Sequence, residues 1–156
     1  MYFYRLLIAL FLATSAAMAS DMAPRDGWAV HRTTKSYDQL IIDVKAAAKQ
    51  QGLHVVTQAG PTQAAAARGI TIPGNRVIGL FNNDFAVKTL ALSTAAMIEA
   101  PLRLYVTENA NGSATLSYKH PSQVFAAYRD EGGAPLAALA TQLDQRFAAI
   151  ADLATR

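Results

Sequence analysis

The sequence predicts an α+β fold of two layers, an antiparallel or mixed sheet with helices on one face. Three observations carry this reading. Pro101 to His120 holds two stretches that alternate apolar and polar residues around a glycine-containing turn, the pattern of half-buried antiparallel strands. Two other stretches, from Tyr37 and from Leu136, space their apolar residues as helices do. Between them, short β-rich runs alternate with helix signals. The order is strand, helix, strand, helix, strand, helix, hairpin, helix.

The amino terminus reads as a leader rather than as part of the fold. Arg5 precedes an apolar run, Leu6 to Ala13, and then a small-residue stretch ending Ala17-Met18-Ala19-Ser20. A charged start, a short apolar core and an A-x-A site make up a secretory signal peptide, with cleavage expected after Ala19. The rival is an uncleaved membrane anchor, for which the run falls short of the ~20 residues that span a bilayer. Cleavage removes 19 of the 156 residues and leaves 137, a single domain over 20–156 with an ordered core at about 27–154. A domain of that size buries roughly two-thirds of its surface.

Composition narrows the function classes. There is no cysteine, which excludes disulfides, thiolate zinc sites, thiol catalysis and lipid attachment at cysteine. An exported protein without disulfides fits a periplasmic or secreted setting. The formal charge is +3, and loss of Arg5 with the leader leaves thirteen basic against eleven acidic residues. With no basic block or stripe, no nucleic-acid partner is expected, and none in the membrane once the leader is cleaved.

The elements follow in order. Asp21 to Gly27 is polar, carries a proline and reads as a loose tail. Trp28 to Thr34 is the first strand, with Trp28, Val30 and Arg32 on one face. Ser36-Tyr37-Asp38-Gln39 fits a capping box that opens a helix, whose stripe is Tyr37, Leu40, Ile41, Val44 and Ala48. Gly52 ends it as a left-handed cap. Leu53 to Gln58 is the second strand, and Gly60-Pro61 starts an alanine-rich helix stopped by Gly69. Pro73-Gly74-Asn75 turns into a third strand, Arg76 to Phe81. Asn82-Asn83-Asp84 then caps a helix from Phe85 to Leu92. Ser93 to Ala100 is ambiguous, and Pro101 ends it. After the hairpin, Ser122 to Tyr128 reads as a brief helix, Asp130-Glu131-Gly132-Gly133 as a break, and Pro135 as the start of the last helix. Leu136, Leu139, Leu143, Phe147 and Ile150 form its apolar stripe.

The hairpin register can be worked out from face matching. Asn111-Gly112 suggests a two-residue loop. That loop would set Leu104 opposite Lys119 and mix the two faces, whereas cross-strand partners share a face. A three-residue loop, Ala110-Asn111-Gly112, pairs Leu104 with Tyr118 and Val106 with Leu116. Gly112 then takes the left-handed position that closes such a loop with a bulge. Arg103, Tyr105, Thr107, Ser117 and Lys119 share the face away from the core, and Arg103 stands opposite Lys119. Like charges paired across strands are unfavourable unless an anion or an acidic partner relieves them. The expected site is therefore Arg103, Tyr105, Ser117 and Lys119, with Asn82 added from the asparagine turn, where its other role is a helix cap. The alternative for the basic pair is two side chains splayed into water.

From Ser36 onward the chain resembles the domain-of-unknown-function 302 family. Gly52 is similar to the family's glycine at the end of the first helix, and Ile78 to Asp84 to its strand leading into a Gly-Asn-Pro-like turn. Ala100-Pro101-Leu102-Arg103 through Glu108 and Asn111-Gly112 resemble its Leu-Pro-Leu-Lys segment and hairpin. Ser117-Tyr118 and Pro121 resemble the Ser-Tyr and proline that follow. Two departures stand out. Gln58 to Pro61 lacks the Asp-His pair many members carry at the second helix, and Phe81-Asn82-Asn83-Asp84 keeps an asparagine without the proline. The resemblance implies a curved antiparallel sheet under helices, related to the TATA-binding-protein topology, and a homodimer. It implies no established activity.

No catalytic signature occurs. His31, His54 and His120 are isolated and lack metal-ligand spacing, so no metal site is expected. No nucleophile elbow, zinc helix, phosphate loop or dinucleotide fingerprint is present, and no cofactor is expected. Asp130-Glu131 reads as a solvated loop. The leading expectation is an exported, non-enzymatic module that binds a small anionic ligand or a protein partner, including a second copy, through its sheet. The alternatives are an enzyme whose His/carboxylate site is assembled by the fold and, with an uncleaved leader, a membrane-tethered interaction module.

Overall fold

The computed structural model describes residues 21–156, and the expected leader, 1–19, lies outside the described residues. Five strands, β1 (Trp28–Ser36), β2 (His54–Ala59), β3 (Asn75–Phe81), β4 (Leu102–Glu108) and β5 (Ser113–Lys119), form one sheet in the order β1-β5-β4-β3-β2. All neighbouring pairs are antiparallel, which resolves the antiparallel-or-mixed alternative. The helices are α1 (Tyr37–Gln50), α2 (Thr62–Ala66), α3 (Asn83–Leu92), α4 (Pro121–Phe125) and α5 (Arg129–Thr155). Ala95–Glu99, the ambiguous stretch, is a 3-10 helix, and a second one, Ala126–Tyr128, extends α4.

The long helices α1 and α5 cover one face of the sheet. Leu40, Val44 and Ala48 of α1 meet Phe147, Ile150 and Ala151 of α5 above Ile78, Leu104, Val106 and Leu116 of the strands. Each of those large apolar side chains is almost wholly buried, worth roughly 1.5–3 kcal/mol apiece relative to exposure. A second cluster, around Phe125, Leu136 and Leu143, packs α4 against α5. Lys35, beyond the expected end of β1, ties the layers together. Its Nζ donates to Asp43 Oδ2 on α1 at 2.7 Å and to the Ala154 carbonyl on α5 at 2.8 Å.

The hairpin has the register that face matching demands. Leu104 pairs with Tyr118 and Val106 with Leu116. Asn109 N–H donates to the Ser113 carbonyl at 2.8 Å, which leaves Ala110-Asn111-Gly112 as the loop, and Gly112 sits at φ 80°.

Three local expectations change. Ser36 Oγ accepts from Gln39 N–H at 3.3 Å, but the Gln39 amide donates to Asp43 Oδ1 at 2.8 Å, one helical turn on. The return half of the capping box is replaced by this i,i+4 contact. The break over Asp130–Gly133 is confined to Gly133, at φ 54° and ψ −149°. Asp130 and Glu131 belong to the first helical turn, and Glu131 Oε2 accepts from Ser93 Oγ at 2.5 Å. Asp21–Gly27 is not a loose tail. Asp21 Oδ1 accepts from the Ala110 N–H at 3.2 Å, and the Arg25 guanidinium lies 5.3 Å from the centre of the Trp28 ring. No helix among the described residues is long and apolar enough to cross a membrane.

Candidate functional site

Strand pairing decides which side chains share the sheet face away from α1 and α5. Trp28 pairs with Lys119, Val30 with Ser117, Tyr105 with both Ser117 and Val77, and Ala59 with Val77. Partners in a rung point the same way, so this outer face carries residues from all five strands. Extending the β4–β5 register by one step sets Arg103 opposite Lys119, and Arg103 pairs on its other side with Gly79. Gly79 has no room for a side chain. A Cβ there would lie 2.1 Å from Thr57 Oγ1 and 2.9 Å from Pro101 Cγ.

A groove of about 630 Å³ opens over these rungs, lined among others by Trp28, Pro61, Val77, Arg103, Tyr105 and Lys119. Its wall at Gly60-Pro61 can close because Gly60 has no Cβ, which would stand 2.2 Å from the Asn75 carbonyl oxygen. The size matches pockets for small organic molecules, which are mostly apolar with a few placed polar groups. Arg103 and Lys119 are exposed, and neither has a carboxylate within 4.0 Å, the one salt bridge among the described residues being Lys35–Asp43. Lys119 Nζ lies 5.8 Å from the centre of the Trp28 ring, on which Arg25 also stacks. Exposed contacts of this type are worth about 0.5–1 kcal/mol each. Glu99 lines the groove too, but its Oε1 accepts from Tyr128 Oη at 2.6 Å, a bond that raises the Tyr128 phenol above its ordinary range.

A second hollow, about 480 Å³, continues along the same face and shares Tyr105 and Asn75 with the first. It is walled by Met22 and Arg25 of the amino-terminal segment and by Ile72 and Pro73 of the β2–β3 connection.

Three of the five expected site residues, Arg103, Tyr105 and Lys119, therefore meet in one groove. Ser117 shares their face but is wholly buried beneath it, and its Oγ lacks a hydrogen-bond partner. Asn82 lies elsewhere, in a recess beside Leu53 and Phe85, and its side chain is committed. Oδ1 accepts from Phe85 N–H at 3.0 Å and Nδ2 donates to the Gly52 carbonyl at 2.9 Å. The helix-cap role accounts for it.

Trp28, Pro61 and the amino-terminal segment were missing from the expected site. Trp28 had been placed on a strand face, but which face became legible only once β1 was seen to pair with β5. Proline-glycine punctuation marked the Gly60-Pro61 turn without showing that it stands over the sheet.

Two of the three histidines flank Tyr118. His31 stacks on Tyr118 with ring centres 6.0 Å apart, and His120 meets the same ring edge-on at 5.8 Å. Neither is hydrogen-bonded to a carboxylate among the described residues. Tyr118 itself is buried, and burial together with Asp144 and Asp152 pushes its phenol up to about 12. No group of three or more His, Asp or Glu residues able to hold a metal ion occurs among the described residues.

Comparison with known proteins follows the fold. No curated protein matches the chain. The crystal structure of an uncharacterized conserved protein DUF302 from Bacillus stearothermophilus superposes with a TM-score of 0.74. It covers 85% of this chain and 100% of its own at 19% identity, a likeness of fold. The family model described as "Domain of unknown function DUF302" matches residues 29–153, so the chain belongs to the DUF302 family.

Proposed function

We propose that this protein is an exported, non-enzymatic binding module that holds a small anionic ligand in the outer-face groove. One observation carries the reading: Arg103 and Lys119 stand in the same rung, without a carboxylate partner, at a groove floored by Tyr105 and Val77. Two neighbouring cations repel, and an anion between them removes the repulsion while gaining charge-assisted hydrogen bonds. The apolar floor lowers the local dielectric and strengthens the attraction.

The same charges favour a ligand over a second copy on this face. A two-fold axis there would bring Arg103 and Lys119 of one copy towards those of the other. Both edge strands also carry a register shift, in β1 between Arg32 and Ser36 and in β2 between Val55 and Thr57. Bulged edges discourage sheet extension between copies. An enzyme reading has less to stand on, because His31 and His120 pack around Tyr118 and not around the cations.

Thermal unfolding with added organic anions tests the proposal. At ten times its Kd a ligand adds about 1.4 kcal/mol, which moves the Tm of a domain this size by roughly 3–6 °C. Arg103→Ala and Lys119→Ala should each reduce that shift. Equal shifts in all three proteins, or none in any, would overturn the assignment.

A further inference from the structure

The two hollows on the outer face adjoin, and their far ends carry different charged groups. They share Tyr105 and Asn75, so a molecule lying over Tyr105 touches both. Together the two hollows follow β4 from Arg103 to Thr107, four residues or about 13 Å. At the Arg103 end, Arg103 and Lys119 have no carboxylate within 4.0 Å, and the carboxylate that lines this hollow, Glu99, accepts from Tyr128 Oη. At the Thr107 end stand two carboxylates, Glu108 and Asp21, each already accepting a backbone N–H, from Gly74 at 2.7 Å and from Ala110 at 3.2 Å. Arg25 also lines this end, its guanidinium over the Trp28 ring as Lys119 Nζ is, so this end holds two carboxylates and one cation. Along the middle, Val77, Tyr105, Met22 and Ile72 offer half-buried apolar surface.

From this arrangement we infer that the ligand is a single-chain organic acid with one charged head. Its carboxylate sits between Arg103 and Lys119, and its hydrocarbon body runs over Tyr105 towards Met22. The inference rests on the anion-site reading above and adds the ligand class. A compact hydrophilic anion would leave the floor unused. A diacid would bring a second carboxylate up to Glu108 and Asp21, and such an unpaired like charge is how a site rejects a near-relative. Met22 gives the amino-terminal segment its part, since it lines the hollow at the far end of the chain's path.

Calorimetric titration of the exported protein with acetate, hexanoate, decanoate, decanedioate and inorganic phosphate tests this. A fully buried methylene multiplies affinity about fourfold. The four extra methylenes of decanoate, half covered in an open groove, should tighten binding over hexanoate at least ~tenfold. Decanedioate should bind more weakly than decanoate. Arg103→Ala should weaken hexanoate and decanoate by the same factor, whereas Met22→Asp should erase the chain-length gain and leave hexanoate unchanged. Equal affinity for the two chain lengths, decanedioate matching decanoate, a gain that survives Met22→Asp, or binding of phosphate alone would overturn the single-chain inference while leaving the anion site standing. Binding of none of these anions would overturn both.

Discussion

Raising the pH should weaken this fold through Tyr118 in a defined window. Its side chain is 2% exposed, and its phenol is pushed from an ordinary value of 10.0 up to about 12 by burial, reinforced by Asp144 and Asp152. The folded chain therefore holds this proton more tightly than the unfolded chain does. The resulting stabilisation is complete below about pH 10, declines as pH rises towards the folded value, and is gone above it. At about 1.4 kcal/mol per pKa unit, the rise is worth roughly 2–3 kcal/mol. Urea unfolding of the parent and of Tyr118→Phe at stepped pH isolates the effect, because lysines and the other tyrosines contribute equally to both proteins. The gap between the two stabilities should stay constant from neutrality to about pH 10 and then shift by about 2–3 kcal/mol against the parent as the pH approaches 12. Curves that remain parallel across that interval would refute the buried-phenol account.

Two further outcomes follow from the sheet and the leader. Gly79→Ala forces a Cβ to within 2.1 Å of Thr57 Oγ1 and should cost roughly 1–3 kcal/mol in chemical denaturation. Adding Thr57→Ala should recover part of that loss, and a double variant no more stable than the single one would place the strain elsewhere. Intact-mass measurement of the exported protein should show a chain beginning at Ser20, and a chain retaining Met1 would sink the cleaved-leader expectation.

Local patterns were the legible part of this protein. Helix α1 was readable because Ser36, the Leu40–Val44–Ala48 stripe and Gly52 each carry a local physical signal, and the structure uses all of them. The hairpin register was readable because a side-chain period of two leaves one pairing that keeps Leu104, Val106, Leu116 and Tyr118 on one face. The amino-terminal segment was misread because its hold on the fold is long-range, through Asp21 to Ala110 and Arg25 to Trp28, with no periodicity to signal it. Asn82 combines both cases, since its Oδ1 serves the local cap and its Nδ2 reaches the distant Gly52 carbonyl.

Sequence reasoning reached the α+β class, the hairpin pairing and the confrontation of Arg103 with Lys119, since each depends on residues close in the chain or on a two-residue repeat. The strand order lay beyond it. Pairing β1 with β5 joins residues roughly eighty to ninety positions apart, a separation at which no local pattern signals the partner. That choice brings Trp28 beside Lys119, and the β2–β3 connection brings Pro61 over the sheet. The basic pair was visible as a rung of two charges. The tertiary structure made it part of a groove, because the walls come from segments that no local rule connects.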